Sequence, residues 1–263
     1  MTDENDAARA LARRAIALTD LTNLDETCTE SAIDALCAQA KGGDGVPPVA
    51  AVCVWPQFVS HARSRLAGSG VGVATVVNFP TGDEDVERVV EQTREALRDG
   101  ADEIDLVLPY RAFLAGDVET ARGMLAAVRE RVSADRVLKV ILETGELKDP
   151  DAIRRAAALA IEEGADFVKT STGKTPVSAT PEAARIMLET IRDTPHLKVG
   201  LKPSGGIRTL EQAKAYLDLA EEIMGPGWAT PATFRFGASG LHKALVGVLE
   251  GGGAPPAPQG GSY

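Results

Sequence analysis

Eight short runs of apolar or β-favouring residues, separated by stretches of helical periodicity, constrain this chain more than any other feature. They are ALTDLT (17–22), VAAVCVW (49–55), GVATVVNF (72–79), EIDLVLP (103–109), VLKVILE (137–143), DFVKTST (166–172), KVGLKP (198–203) and FRFGAS (234–239). Their starts are spaced at roughly 25–35 residues, the size of one βα unit. Between them, DEDVERVVEQTREALRDG carries apolar residues at Val86, Val89, Val90 and Leu97 and ends at the C-cap candidate Gly100. Thr180, Pro181 and Glu182 form a strong helix start before AARIMLETIRD. DPDAIRRAAALAIEEG and TLEQAKAYLDLAEEIMG follow the same plan. Strict βα alternation favours a parallel sheet, and eight repeats favour closure into a (β/α)8 barrel. The amphipathic opening, MTDENDAARALARRAIAL, adds an extra N-terminal helix. A doubly wound open sheet is the alternative, but no GxGxxG follows an early strand. Asp99-Gly100-Ala101-Asp102 before EIDLVLPY is echoed by Glu163-Gly164-Ala165-Asp166 before FVKTSTG, each a helix end, a glycine stop and a new strand.

A chain of 263 residues suits one α/β barrel, and 44% hydrophobic with 25% charged residues is ordinary for a soluble protein with a sizeable core. The formal charge of −10 argues against nucleic acid or an anionic membrane as the main partner. It leaves a phosphorylated substrate open, since a phosphate site needs only a few local donors. Cys28, Cys37 and Cys53 are odd in number and lack CxxC spacing, which argues against zinc or a disulfide framework and for a reducing cytoplasm. Cys53 reads as a small core residue. No run approaches a membrane span, and the acidic opening does not resemble a signal peptide. The expected organisation is one barrel domain over 1–250, followed by a flexible Gly/Pro-rich tail, GGGAPPAPQGGSY, over 251–263.

A buried barrel strand should be almost wholly apolar, so a charge inside one demands a reason. In EIDLVLP, Ile104, Leu106 and Leu108 share one face, which leaves Asp105 on the other. The same alternation groups Phe167, Lys169 and Ser171 in FVKTSTG, and turns Lys202 inward if Val199 and Leu201 face the helices. Any one of these residues reads equally well as part of a self-satisfied buried ion pair. Two lysines facing one aspartate are harder to explain that way, because the second positive charge is unfavourable unless one lysine is neutral. A free lysine, with a pKa of about 10.4, is protonated at neutral pH and a poor nucleophile. A neighbouring ammonium and partial desolvation release the amine to attack a carbonyl, and an inward carboxylate can then move protons.

Glycine-rich turns follow the later strands: Ser171-Thr172-Gly173-Lys174, Ser204-Gly205-Gly206-Ile207-Arg208 and Gly237-Ala238-Ser239-Gly240. They read either as ordinary βα turns or as an anion site, which barrels often build from the loops after strands seven and eight.

From ALTDLT to its end the chain resembles the deoxyribose-phosphate aldolases, class I enzymes that join acetaldehyde to D-glyceraldehyde 3-phosphate. TVVNFP, GADEIDLVLPYR, LKVILETGELKD, GADFVKTSTGK, ATPEAARIM, VGLKPSGGIRT and FRFGASG carry the resemblance, with FVKTSTGK and KPSGGIRT specific as a pair. It implies a bacterial-type lyase that cleaves 2-deoxy-D-ribose 5-phosphate without metal or organic cofactor, in deoxyribose catabolism. By position, the Schiff-base lysine falls on Lys169, the proton-relay aspartate on Asp105 and not Asp102, and the perturbing lysine on Lys202. The phosphate loops fall on Gly173, Lys174, Gly205, Gly206, Gly237 and Ser239, beside Thr172. Asp20 and Thr22 match first-strand residues lining the substrate site, and Lys139 lies on an inward strand near it. Gly240 stands where bacterial relatives commonly carry a second serine, which implies a weakened or shifted phosphate contact. The terminal Tyr263 resembles a tail tyrosine that assists proton transfer in some relatives. The implied partners are a phosphosugar and aldehydes, with room for a homodimer. His61, His196 and His242 show no ligand spacing and fall in helix or loop, which disfavours a metal-dependent aldolase. Two alternatives stay open: a Schiff-base aldolase for another phosphorylated aldehyde, and a phosphate-binding barrel without chemistry.

Overall fold

The computed structural model describes residues 2–251. The eight strands are β1 (Thr19–Asn23), β2 (Ala51–Val54), β3 (Gly72–Val77), β4 (Glu103–Val107), β5 (Val137–Ile141), β6 (Phe167–Lys169), β7 (Gly200–Lys202) and β8 (Phe236–Ala238). Each falls within one of the eight runs or overlaps it. The helices of the first half are α1 (Thr2–Ala17), α2 (Glu30–Ala40), α3 (Val59–Arg65), α4 (Val86–Arg98), α5 (Tyr110–Leu114) and α6 (Val118–Arg129). Those of the second half are α7 (Thr144–Leu147), α8 (Pro150–Glu162), α9 (Pro181–Arg192), α10 (Leu210–Met224) and α11 (Gly240–Leu249).

All strand pairs are parallel, in the order β7-β6-β5-β4-β3-β2-β1-β8. Pairing of the first strand with the last excludes the open doubly wound sheet. The remaining seam, β7 to β8, is closed by bridges Leu201–Phe234 and Ser204–Gly237, with Arg235 N–H donating to Leu201 O at 3.0 Å. The chain is therefore a (β/α)8 barrel, with α1 as the extra N-terminal helix packed against α11 and α10.

Local chemistry places the helices. Asp85 caps α4 by accepting from Arg88 N–H at 3.0 Å, and Thr180 caps α9 by accepting from Ala183 N–H at 3.1 Å. Thr209 and Gln212 close a reciprocal capping box on α10. The Gly-Ala-Asp echo is one helix-stop device used twice. Ala101 and Ala165 each reach back five residues to a helix carbonyl, and Asp102 and Asp166 each accept a backbone N–H from the preceding strand. This assigns Asp102 to the outer wall, where Arg63 and Arg136 pair with it at 2.7 and 2.9 Å.

The main apolar core lies between strands and helices. Leu21, Val52, Ile104, Leu106, Val140, Val168 and Leu201 all face it. A second, small apolar cluster of Leu24, Cys53, Ala74 and Val76 lines part of the barrel interior. The rest of that interior is ionic. Among the described residues, no helix is long and apolar enough to cross a membrane.

Candidate active site

Strand parity turns seven charged side chains into the barrel. β4 supplies Glu103 and Asp105, β1 Asp20, β5 Lys139, β6 Lys169 and β7 Lys202, while Arg235 enters just before β8. The parallel register sets Asp105 beside Lys139 and Lys169 beside Lys202. Asp105 is the hub: its Oδ2 accepts from Lys169 Nζ at 2.8 Å and Lys202 Nζ at 2.7 Å, and its Oδ1 from Lys139 Nζ at 2.9 Å. Lys202 also reaches Asp20 at 2.5 Å. Lys139 also bonds Glu103 and lies 3.3 Å from Asp20. Arg235 spans Asp20 at 2.6 Å and Glu103 at 3.0 Å, closing the lattice from below.

The expectation of two lysines facing one aspartate thus enlarges to four cations and three carboxylates, all buried. With every group ionised, one positive charge is in excess. Lys139, Lys202 and Arg235 each touch at least two carboxylates. Among the described residues Lys169 touches one, through an oxygen it shares with Lys202. Burial and then the Lys202 ammonium hold Lys169 below the usual lysine range, against the pull of Asp105. Burial would also lower Lys202, but Asp105 and Asp20 outweigh it and raise the group. Burial opposes the charge on Asp105, yet Lys139, Lys169 and Lys202 keep its carboxyl well below the usual range. The one lysine of the lattice pushed toward its neutral form is Lys169.

Lys169 and Lys202 are the last residues of their strands, and the loops that follow line a cavity of about 540 Å³. Gly173, Lys174, Gly205, Gly206, Arg208, Ser239 and Gly240 are among the residues that form its wall. Gly237 lies deeper: a side chain there would collide with Ser204 and crowd the Lys202 chain, so the close approach requires glycine. Thr172 is buried and its hydroxyl donates to Glu143 at 2.5 Å, while Lys174 Nζ donates to Leu24 O at 3.0 Å. Thr22 donates to Asp20 O at 2.9 Å, and Asp20 and Lys139 sit within the ionic lattice, not on the cavity wall. Cys53 is fully buried in the interior cluster, and burial pushes its thiol up. His61 and His242 lie on α3 and α11 and His196 in a loop, and the described residues contain no cluster of three metal-ligating side chains. Tyr263 lies outside the described residues.

Three residues escaped the sequence reading. Glu103 shares Asp105's parity and Arg235 that of Gly237, so alternation carried the signal. Glu143 carried none, because its partners lie in another loop.

Residues 14–241 match the DeoC/LacD family aldolase. The deoxyribose-phosphate aldolase of Agrobacterium fabrum is 55% identical over 253 residues, spanning 96% of each chain. A provisionally named deoxyribose-phosphate aldolase of Toxoplasma gondii is 27% identical with a TM-score of 0.86, covering 94% of this chain and 97% of its own. A tetrameric deoxyribose phosphate aldolase of Aeropyrum pernix, 24% identical with a TM-score of 0.71 over 92% of each chain, shares the fold. An amine-bearing barrel interior, a glycine-walled cavity and a match over most of the length lead to one assignment: this chain belongs to the DeoC/LacD family of aldolases.

Proposed function

We propose that this aldolase reversibly cleaves 2-deoxy-D-ribose 5-phosphate into D-glyceraldehyde 3-phosphate and acetaldehyde, with Lys169 as the Schiff-base amine. The observation that carries the reading is the charge imbalance around Lys169, which favours a neutral amine at the end of β6, the strand whose following loop lines an open cavity. The 55% identity to a deoxyribose-phosphate aldolase supports the substrate.

Neutral Lys169 attacks the C1 aldehyde of the open-chain sugar. The carbinolamine loses water to give an iminium, and Asp105, 2.8 Å from the amine, is the group placed to pass protons in that step. The C3 hydroxyl then gives up its proton, the C2–C3 bond breaks, and its electron pair flows into the iminium to form an enamine. Glyceraldehyde 3-phosphate leaves. Protonation of the enamine at C2 and hydrolysis release acetaldehyde and return the amine. Lys202 keeps Lys169 neutral between turnovers by sharing the same Asp105 oxygen. At the other end of the sugar, Lys174 and the backbone of Gly173, Gly205, Gly206 and Ser239 form a positive, donor-rich wall suited to the phosphate.

Borohydride reduction in the presence of acetaldehyde should place an ethyl group on Lys169, and Lys169→Ala should abolish both adduct and cleavage. A folded protein that gives no adduct points to a phosphate-binding barrel without chemistry, and retained turnover in Lys169→Ala overturns the assignment of the amine.

A further inference from the structure

Glu143 follows β5 with its backbone in the left-handed region, at φ 58° and ψ 59°, a conformation that disfavours a side chain of its size. It is fully buried, and the chemistry proposed above makes no use of it. Its carboxylate accepts from Thr172 Oγ1 at 2.5 Å, from Thr172 N–H at 3.3 Å and from Thr175 Oγ1 at 3.2 Å. Thr172 Oγ1 in turn accepts from Lys174 N–H at 3.0 Å, so the buried carboxylate fixes the turn from Thr172 to Thr175 in one network. Two residues on, Gly145 packs under the carbonyl of Val177, where any side chain would collide with it. Thr144 N–H donates to Thr170 O at 2.9 Å. The segment 143–147 therefore grips the β6 loop at Thr170, at 172–175 and at Val177, and that loop forms one wall of the cavity.

We propose that Glu143 is a positioning residue for substrate binding, holding the Thr172–Thr175 turn so that Gly173 and Lys174 present a fixed anion-binding wall. The strain at its backbone persists because three loop contacts over-determine it, the usual sign of a constraint tied to function. The proposal rests on the reading of that wall as the phosphate site. Loss of Glu143 loosens the grip on the phosphate end of the substrate while Asp105, Lys169 and Lys202 keep their own mutual contacts.

The test compares kcat/KM for 2-deoxyribose 5-phosphate with that for unphosphorylated 2-deoxyribose. In Glu143→Ala this ratio should fall about tenfold, mainly through KM of the phosphorylated sugar, with a matching rise in the inhibition constant of inorganic phosphate. Glu143→Gln, which keeps one carbonyl acceptor, should restore much of the preference. Thr175→Val, which approaches the same network from the loop, should lower it about threefold and serves if Glu143→Ala does not accumulate folded. An unchanged ratio, with both substrates losing activity alike, assigns Glu143 a structural role only and overturns the proposal. Absence of any preference in the unmodified enzyme, with no inhibition by phosphate, overturns the phosphate reading itself and this proposal with it.

Discussion

The lower barrel interior and the rim after β6, β7 and β8 solve opposite problems with opposite materials. Below, seven ionisable side chains with almost no exposure satisfy one another through contacts of mostly 2.5–3.3 Å. Above, the wall is glycine, backbone, a few polar or charged side chains and the apolar Pro176, Ala179 and Ile207 around an open cavity. Reactivity needs the first arrangement, because burial and a neighbouring ammonium lower the pKa of Lys169 and favour its neutral amine. Binding needs the second, because a phosphate is held by donors brought close, and glycine lets backbone approach. Changes below should therefore alter protonation and rate together, whereas changes above should alter affinity for the phosphorylated end.

The largest effect is expected at the hub. Asp105→Asn removes the carboxylate that all three lysines share, leaving Lys139 with Asp20 and Glu103, Lys202 with Asp20, and Lys169 with no carboxylate of the lattice. Steady-state cleavage should fall by roughly a thousandfold, the middle of the range for loss of a proton-transfer group. A decrease of less than about tenfold would show that proton transfer runs through another group.

At the base of the lattice, Arg235→Met leaves Glu103 and Asp20 without their lower partner. Breaking one side of a buried pair costs about 3–5 kcal/mol, measurable by urea denaturation. The double substitution Glu103→Leu with Arg235→Met should recover much of that loss, because a matched apolar pair tolerates burial where a lone charge does not. Simple additivity of the two losses would show that the pair does not act as a unit.

Lys202→Met tests the electrostatics by sign. Burial is the first cause of Lys169's depressed pKa and the Lys202 ammonium adds to it, while Asp105 opposes both. Removing Lys202 takes away a repelling charge and leaves the shared Asp105 oxygen to Lys169 alone, so both changes raise the Lys169 pKa. The ascending limb of the pH profile of kcat/KM, where the free enzyme's amine loses its proton, should move to higher pH. A limb that stays in place would mean that Lys202 acts on catalysis by another route.

The same contrast explains what could be read without coordinates. The eight strands were visible because a doubly buried strand must be apolar, and Asp105, Lys169 and Lys202 were visible because they break that rule in mid-run. Glu103 and Arg235 obey the same parity, but they stand first and second in their runs, where a charge ordinarily faces solvent. The sizes of the strands were less legible: β6, β7 and β8 keep three residues each, because Thr170, Pro203 and Ser239 already belong to the rim. Glu143 reads as the acid that ends the run VLKVILE, and its partner Thr172 lies 29 residues away, across two helices and a strand. Contacts between loops depend on closure of the barrel, and no local periodicity encodes them.

The smallest effect belongs to the rim, at Gly240. Gly240 opens α11 and lines the cavity next to Ser239, and a Cβ built on it meets no atom within 4 Å. A serine there fits without displacing anything, and its hydroxyl adds one donor to the anion wall. A hydrogen bond to a charged partner contributes about 1.5–3 kcal/mol at best, but exposure at the cavity mouth and the few tenths lost or gained at a helix start reduce that. Gly240→Ser should therefore lower KM for 2-deoxyribose 5-phosphate by about threefold to tenfold, with kcat and the Lys169 pH limb in place. Equal improvement with unphosphorylated deoxyribose would place the new hydroxyl away from the phosphate, and no change in either would mean that backbone donors already saturate that side of the site.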